Sequence, residues 1–266
     1  MRPVALVATD LDGTLLDRNT YDFAPARPAL DALRERGVPL VLCSSKTRAE
    51  MEPLAGAIGV PGPLVVENGG AVVRGGSELV LGTPRGRLID ALPAVARDAG
   101  VRVRSFAEMS VGEVAALTGL PPDQAALAMR REYDEPFVVE DPPLRDPQLD
   151  ARLDRAARER GLRLTHGGRV YHLTGPTDKG HALRVIVQGT ALGGGEVVGL
   201  GDAANDLPLL LAVTRPIVMP RTDGTLDSSL AAGLPGAERA PEPGPAGWST
   251  AVLAVLSGAA LPRVGS

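Results

Sequence analysis

Short apolar runs without alternation recur along this chain, at residues 3–9 (PVALVAT), 38–44 (VPLVLCS), 63–67 (PLVVE), 197–201 (VVGLG) and 216–219 (PIVM). A strand with one wet face alternates in polarity, whereas a run that is apolar at nearly every position has both faces covered, as in a parallel sheet packed between helices. Helical patterns lie between the runs. Examples are PARPALDALRERG (25–37) and TRAEMEPLAGAIG (47–59), each ending on the glycine that a helix C-terminus favours. Alternating strand and helix predicts an α/β fold built on a doubly wound parallel sheet.

Ligands of such a sheet bind beyond the carboxyl ends of the strands. There the first run is followed by Asp10 and Asp12, in ATDLDGTLL. Two residues apart on an extended segment, these side chains leave the same face and can reach one ligand, one as nucleophile and the other as general acid/base. Gly13 permits the turn that follows. A second acidic pair, Asp202 and Asp206, follows the run at 197–201. Carboxylates converging from separate strand ends suggest a hard cation, and magnesium prefers such oxygens and commonly bridges them to phosphate. Phosphoryl transfer has a need for it, because a carboxylate approaching a phosphate dianion meets roughly 4 kcal/mol of repulsion per charge pair at about 4 Å.

Lysine is scarce. Of 28 basic residues only Lys46 and Lys179 are lysine. Lys46 lies just past the second apolar run, and Lys179 lies in GPTDKGHALRVIV, where Thr177 or Asp178 can cap a helix whose apolar face carries Ala182, Leu183 and Ile186. A compact ammonium suits a point contact to phosphate. Arginine-biased codon usage is the competing explanation for the scarcity.

With these segments in view the chain resembles the haloacid dehalogenase-like (HAD) phosphatase superfamily, and within it the Cof-like group. DLDGT is similar to its first motif, Ser44 to the second, Lys179 to the third and GDAAND to the fourth, in that order along the chain. A finer resemblance points to the mannosyl-3-phosphoglycerate phosphatase family, through TYDF with Tyr21, SSKTRAEM, ENGGA, RREYDEPF, HGGRVYHL and GPAGW. Many Cof-like relatives carry Thr-Gly-Arg where this chain has Ser44-Ser45-Lys46, a departure that favours the glycosyl-phosphoglycerate branch.

The resemblance implies a HAD-like, Rossmannoid core at 1–84 and 173–266, and an inserted α+β cap domain at 85–172 that selects the substrate. Asp10 is then expected to attack phosphorus, and Asp12 to protonate the departing alkoxide and afterwards activate water. Ser44 and Lys179 hold the phosphoryl oxygens. Magnesium falls to Asp10, Asp12 through its backbone carbonyl, and Asp202, with Asp206 counted among the metal residues but better placed, like Asn205, to orient the ligands. Substrate contacts are expected from Ser45, Lys46, Thr47, Arg48, Asn68, Gly69, Arg131, His166, Arg169 and Asn205, with Glu67 a further candidate for sugar hydroxyls. Plainer roles stand beside these: Asp206 could cap the helix LPLLLAV, Arg130 and Arg131 could pair with Glu132 and Glu135 on a solvated helix end, and His172 and His181 read as structural.

The middle of the chain carries helical patterns at 87–100 and 146–161, strand-like VRVRSF and FVVED, and a hairpin candidate, LRLTHGGRVYHL, turning at Gly167-Gly168. A net charge of −4 and 3% aromatic residues argue against a nucleic-acid partner. The absence of an apolar stretch of about 18 residues argues against a membrane span, and a cytoplasmic enzyme acting on a small phosphomonoester is expected. One cysteine, Cys43, excludes an internal disulfide and reads as a buried strand residue. Neither the oligomeric state nor the glycosyl group can be read from the sequence. A phosphomutase or a phosphate-binding regulatory module would share much of the acidic set.

Overall fold

The computed structural model describes residues 2–140, 147–167 and 170–265. The chain runs through β1 (Val4–Thr9), α1 (Arg27–Glu35), β2 (Leu40–Cys43), α2 (Arg48–Ile58), β3 (Leu64–Val66), β4 (Ala71–Arg74) and β5 (Ser77–Val80). It continues through α3 (Arg85–Ala99), β6 (Val103–Ser105), α4 (Val111–Thr118), α5 (Pro122–Ala128), β7 (Asp134–Val139), α6 (Pro147–Arg158), β8 (Arg163–Gly167) and β9 (Val170–Thr174). The last part holds α7 (Lys179–Gln188), β10 (Glu196–Gly201), α8 (Leu207–Leu211), β11 (Arg215–Val218), α9 (Ser228–Gly233), β12 (Glu238–Arg239) and α10 (Gly244–Ser257).

An eight-stranded sheet has the order β12-β11-β10-β1-β2-β3-β4-β5. Its strands pair in parallel from β12 to β3, and β4 and β5 extend one edge antiparallel. Both faces are covered, which explains the unbroken apolar runs. On β1 and β2, Val7, Leu40 and Leu42 join a core with α1, α2 and α10, while Leu6, Ala8, Val41 and Cys43 face the other way into a core with Ala182 and Leu183 of α7 and Leu209 of α8. Burial pushes the Cys43 thiol well above its usual range, so it stays a neutral, inert packing group. The helix α2 has its start written locally: Thr47 and Glu50 form a reciprocal capping box, and Gly59 ends it at φ 80°.

Between β5 and α7 the chain builds a second, antiparallel sheet of order β6-β7-β9-β8. Leu88, Leu92 and Val95 of α3 and Leu149 and Leu153 of α6 pack on Phe137, Tyr171 and Leu173 of this sheet, with the Phe137 and Tyr171 rings stacked at 5.4 Å. Val170 joins a smaller cluster with Phe106, Val114 of α4 and Ala125 of α5. By strand alternation His172 shares the Val170 face of β9, which looks toward the larger sheet's strand ends. The β8–β9 pairing places Gly167 inside the ladder opposite Val170, so it is a strand residue, and Gly168 and Arg169 lie outside the described residues.

Candidate active site

Strand order reverses at β1: β2 and β3 lie to one side, β10 to β12 to the other. A crevice opens beyond the carboxyl ends of strands at such a switch point. Thr9 stands beside Leu200 in the β1–β10 register, and the Asp10 N–H donates to the Leu200 carbonyl at 2.9 Å. The first residues beyond the two strands, Asp10 and Asp202, are therefore brought together although they lie far apart in sequence. Lys179, the first residue of α7, reaches in from a third direction. Its Nζ donates to Asp10 Oδ1 at 2.6 Å and to Asp206 Oδ1 at 2.7 Å. The other Asp206 oxygen accepts the N–H groups of Asp202 and Ala203 at 3.0 and 3.1 Å. Asp206 thus does not cap α8; its carboxylate points back to fix both Lys179 and the loop that carries Asp202.

Burial followed by the Asp206 charge raises the Asp10 carboxyl well above its ordinary range, with Lys179 acting against the rise. Burial disfavours the Lys179 ammonium, but Asp10 and Asp206 outweigh it and keep it protonated. Asp202 is pushed up to about 6 by burial and by Asp206, against the pull of the Arg18 guanidinium that pairs with its Oδ2. Gly13, at φ 85°, makes the turn that admits this contact, since a Cβ there would lie 2.7 Å from Asp202 Oδ2.

The donor set fits a hard cation. One carboxylate oxygen from each of Asp10, Asp202 and Asp206 lies within 4.8 Å of the others. Within this cluster Asp202 Oδ1 is buried without a hydrogen-bond partner. Clustered carboxylate oxygens with uncompensated lone pairs are what a divalent, oxygen-preferring ion satisfies. Because both Asp206 oxygens already have N–H partners, that residue supports the cluster from behind, and Asp10 and Asp202 are the better direct ligands.

Above the cluster a cavity of about 490 Å³ is bounded by Asp12, Arg18, Tyr21, Ser45, Lys46 and Glu50 of the larger domain and by Phe106, Thr118, Leu120, Ala128, Arg131, Val170 and His172 of the inserted segment. A slightly larger cavity, about 530 Å³, lies at the amino ends of β10 and β11, far from the acids. In its lining Arg215 is paired with Glu196 and Glu238, whereas the first cavity is bordered by Asp12, Lys46 and the Arg18 that pairs with Asp202.

The other expected residues divide. Ser44, 1% exposed, is the first residue beyond β2, and its Oγ accepts the Lys46 N–H at 3.2 Å. Lys46 Nζ sits 3.0 Å from Asp12 Oδ2, and the Ser45 carbonyl accepts from Arg131 Nη1 at 3.1 Å. Arg131 is not on a solvated helix end: its side chain is 7% exposed and pairs at 2.8 Å with the fully buried Asp134, which also meets His172 Nδ1 at 2.8 Å. Burial would raise Asp134, but His172 and Arg131 hold its carboxyl below the usual range. Glu135 pairs with Arg85 instead.

Thr47 and Arg48 are placed away from the cavity. Thr47 is buried as the α2 cap, with its hydroxyl donating to Glu50 and to the Leu127 carbonyl, and Arg48 pairs along the exposed helix surface with Glu52. Asn68 and Asn205 meet each other, Asn205 Nδ2 donating to Asn68 Oδ1 at 3.2 Å. Gly69 packs against the start of α7, where a Cβ would fall 2.3 Å from the Asp178 carbonyl oxygen. His181 is exposed on α7. The His166 side chain, like Arg169, lies outside the described residues.

Sequence reasoning passed over Arg18, which is one of 26 arginines and carries no motif. It also gave Glu67 the wrong partner. Glu67 is fully buried, and its carboxylate accepts the N–H groups of Glu132 and Tyr133 at 3.0 and 2.8 Å, tying the two sheets' domains together where sugar hydroxyls were expected. The positive φ of Glu67 (48°) and Asn68 (56°), which aims that carboxylate, has no signature in residue types alone.

The doubly wound fold, with its acids and lysine at the switch point, is matched by known hydrolases. Residues 7–81 match the family model described as haloacid dehalogenase-like hydrolase. A glucosyl-3-phosphoglycerate/mannosyl-3-phosphoglycerate phosphatase from Persephonella marina is 35% identical over 95% of this chain and 97% of its own length. A protein of the same name from Methanococcoides burtonii is 35% identical over 94% and 97%. Among solved structures, a HAD subclass IIB sugar phosphatase superposes with a TM-score of 0.68 at 15% identity, over 94% of this chain and 98% of that one. The chain belongs to the haloacid dehalogenase-like hydrolases and is a phosphoric monoester hydrolase. Among the described residues, no helix is long and apolar enough to cross a membrane.

Proposed function

We infer that this enzyme is a magnesium-dependent phosphatase that converts mannosyl-3-phosphoglycerate to mannosylglycerate and phosphate through an aspartyl phosphate on Asp10. The observation that carries the reading is the buried Asp10 carboxylate held by a protonated Lys179 beside Asp202, with Asp12 two residues on. The relatives' names supply the substrate class. Because both sugars occur in those names, the glucosyl analogue is the second substrate of this reading.

The Asp10 carboxylate oxygen forms a bond to phosphorus as the bond from phosphorus to the glycerate oxygen breaks, and Asp12 delivers a proton to that departing oxygen. Asp12, now a carboxylate, takes a proton from water as the water oxygen attacks phosphorus, releasing phosphate and restoring Asp10. Lys179 and Ser44 hold equatorial phosphoryl oxygens, whose charge must be stabilised throughout. Magnesium, when held by Asp10, Asp202 and the Asp12 carbonyl with Asp206 behind them, supplies charge neutralisation between carboxylate and phosphate. Residues 85–172 act as the cap that excludes water and selects substrate, with Arg131 and Ser45 at the seam and His166 and Arg169 kept as further substrate candidates from the sequence. Such a reaction would yield a compatible solute in the cytoplasm.

Phosphate release should be measured with magnesium on mannosyl- and glucosyl-3-phosphoglycerate, 3-phosphoglycerate and common sugar phosphates. Preference for a glycosyl phosphoglycerate is expected, with label from oxygen-18 water entering the released phosphate. Asp10→Asn should reduce turnover by several orders of magnitude, and retention of more than roughly a tenth of activity, only about 1.4 kcal/mol in barrier, rules out Asp10 as nucleophile. Transfer of the phosphoryl group to a second sugar instead of water would mark a mutase.

A further inference from the structure

We propose that Tyr21 is a positioning residue of the reaction centre, holding the Lys46 ammonium against Asp12 so that Lys46 serves proton delivery to the leaving group and not recognition of a substrate carboxylate. This rests on the phosphatase reading above and deepens it. The observations begin with the loop after the first motif. Asp17 closes it on itself: its N–H donates to the Asp22 carbonyl at 2.9 Å, its own carbonyl accepts the Tyr21 N–H at 3.0 Å, and its Oδ1 accepts the N–H groups of Asn19 and Thr20 and the Thr20 hydroxyl. Those donors hold the Asp17 carboxyl below its usual range.

Within this loop Tyr21 has φ 57°, a left-handed conformation that a bulky side chain rarely adopts and that the surrounding hydrogen bonds impose. The residue is 40% exposed, at the border of the cavity. The ring face lies 4.7 Å from Lys46 Nζ, and that nitrogen lies 3.0 Å from Asp12 Oδ2. The Lys46 ammonium is therefore clamped between an aromatic face and a carboxylate.

The clamp has a chemical consequence. With Oδ2 engaged by Lys46, Asp12 presents its other oxygen, Oδ1, which is buried and has no hydrogen-bond partner. That atom is the one left to carry the proton. As the proton passes to the departing oxygen, negative charge develops on Asp12, and an ammonium already fixed on Oδ2 stabilises it without reorganisation. A lysine whose nitrogen is committed in two directions is poorly placed to seek a glycerate carboxylate. Loss of the ring would free a flexible four-carbon stem and blur the geometry at Asp12.

The test compares leaving groups. Wild type, Lys46→Ala, Tyr21→Leu and Tyr21→Phe are assayed with magnesium on mannosyl-3-phosphoglycerate, phenyl phosphate and p-nitrophenyl phosphate. The nitrophenolate departs without protonation, whereas phenolate and alkoxide gain from an acid. Neither aryl ester has a carboxylate. On phenyl phosphate and on the glycosyl substrate, Lys46→Ala and Tyr21→Leu should lose about tenfold or more in kcat with little change in KM, and on p-nitrophenyl phosphate much less, in line with the worth of a well-placed general acid. Tyr21→Phe keeps the ring and should recover most of the loss. Losses confined to the glycosyl substrate and expressed in KM would assign Lys46 to the carboxylate, or Tyr21 to the sugar, and overturn the proposal. Equal losses on all three esters would overturn it in favour of a structural or phosphate-holding role. A wild-type enzyme that frees phosphate from none of the three overturns the phosphatase reading itself.

Discussion

Glu67 ties the loop after β3 to the segment that leads into β7, through the N–H groups of Glu132 and Tyr133. Burial lifts its carboxyl to about 7, with Arg131 and the N–H groups of Tyr133 and Glu132 pulling the other way. A carboxyl raised in the folded state contributes stability that is full below its unfolded value near 4.5 and lost as pH rises through 7, an effect of at most about 3 kcal/mol. Against Glu67→Gln, which cannot ionise, the wild type should therefore lose unfolding free energy between pH 5 and pH 8 in urea titrations; a pH-independent difference would show that Glu67 titrates normally. Arg131 makes a second case. Removing it leaves the buried Asp134 with His172 alone, so Arg131→Ala should cost about 3 kcal/mol or more of stability. An undiminished denaturation midpoint would show that the pair is dispensable to the fold and return Arg131 to substrate binding.

At the scale of an element, α7 shows how a helix start is fixed so that it holds a candidate catalytic lysine. Asp178 caps it, accepting the His181 N–H at 2.7 Å, and Thr177 donates to the Gly69 carbonyl at 2.9 Å. One residue past Lys179, a Cβ on Gly180 would lie 2.0 Å from the Pro208 carbonyl oxygen, so α7 and α8 touch through backbone. Gly180→Ala must push the first turn of α7 away from α8 and carry Lys179 with it. The expected result is a stability loss of about 1–3 kcal/mol by denaturation together with a fall in kcat. Wild-type values in both would mean that the helices separate without disturbing the lysine.

At the scale of the whole molecule, the acid cluster joins parts of the chain that only the sheet brings together, so a cation bound there staples the ends of β1 and β10. Magnesium should raise the thermal midpoint, by an amount equivalent to about 2.7 kcal/mol at a hundredfold excess over Kd. The gain should shrink below pH 6. Asp202 is raised to about 6, so below that pH a proton competes with the ion, and above it the metal-free protein has lost the stability that the protonated form gave. A magnesium-induced shift unchanged between pH 5 and pH 7.5 would remove Asp202 from the ligand set.

The parallel sheet was legible in the sequence because burial on both faces of a central strand forces apolar residues at nearly every position: β1, β2 and β3 lie within their runs, and β10 and β11 begin one residue before theirs. Caps were legible for the same local reason: Thr47 with Glu50, and Asp178, act within three residues of themselves. The candidate acids stood out because strand ends are readable, and a strand end in an open α/β sheet is where ligands gather. Partners were not readable. Whether Asp206 caps α8 or grips Lys179, whether Glu67 meets a sugar or the Tyr133 N–H, and whether Lys46 faces a carboxylate of the ligand or of Asp12 depend on contacts between distant segments. Local propensity fixes what a residue can do; the register of β1 on β10 and the seating of the inserted domain decide what it touches, because those distances are set by packing of whole elements and not by any neighbour in the chain.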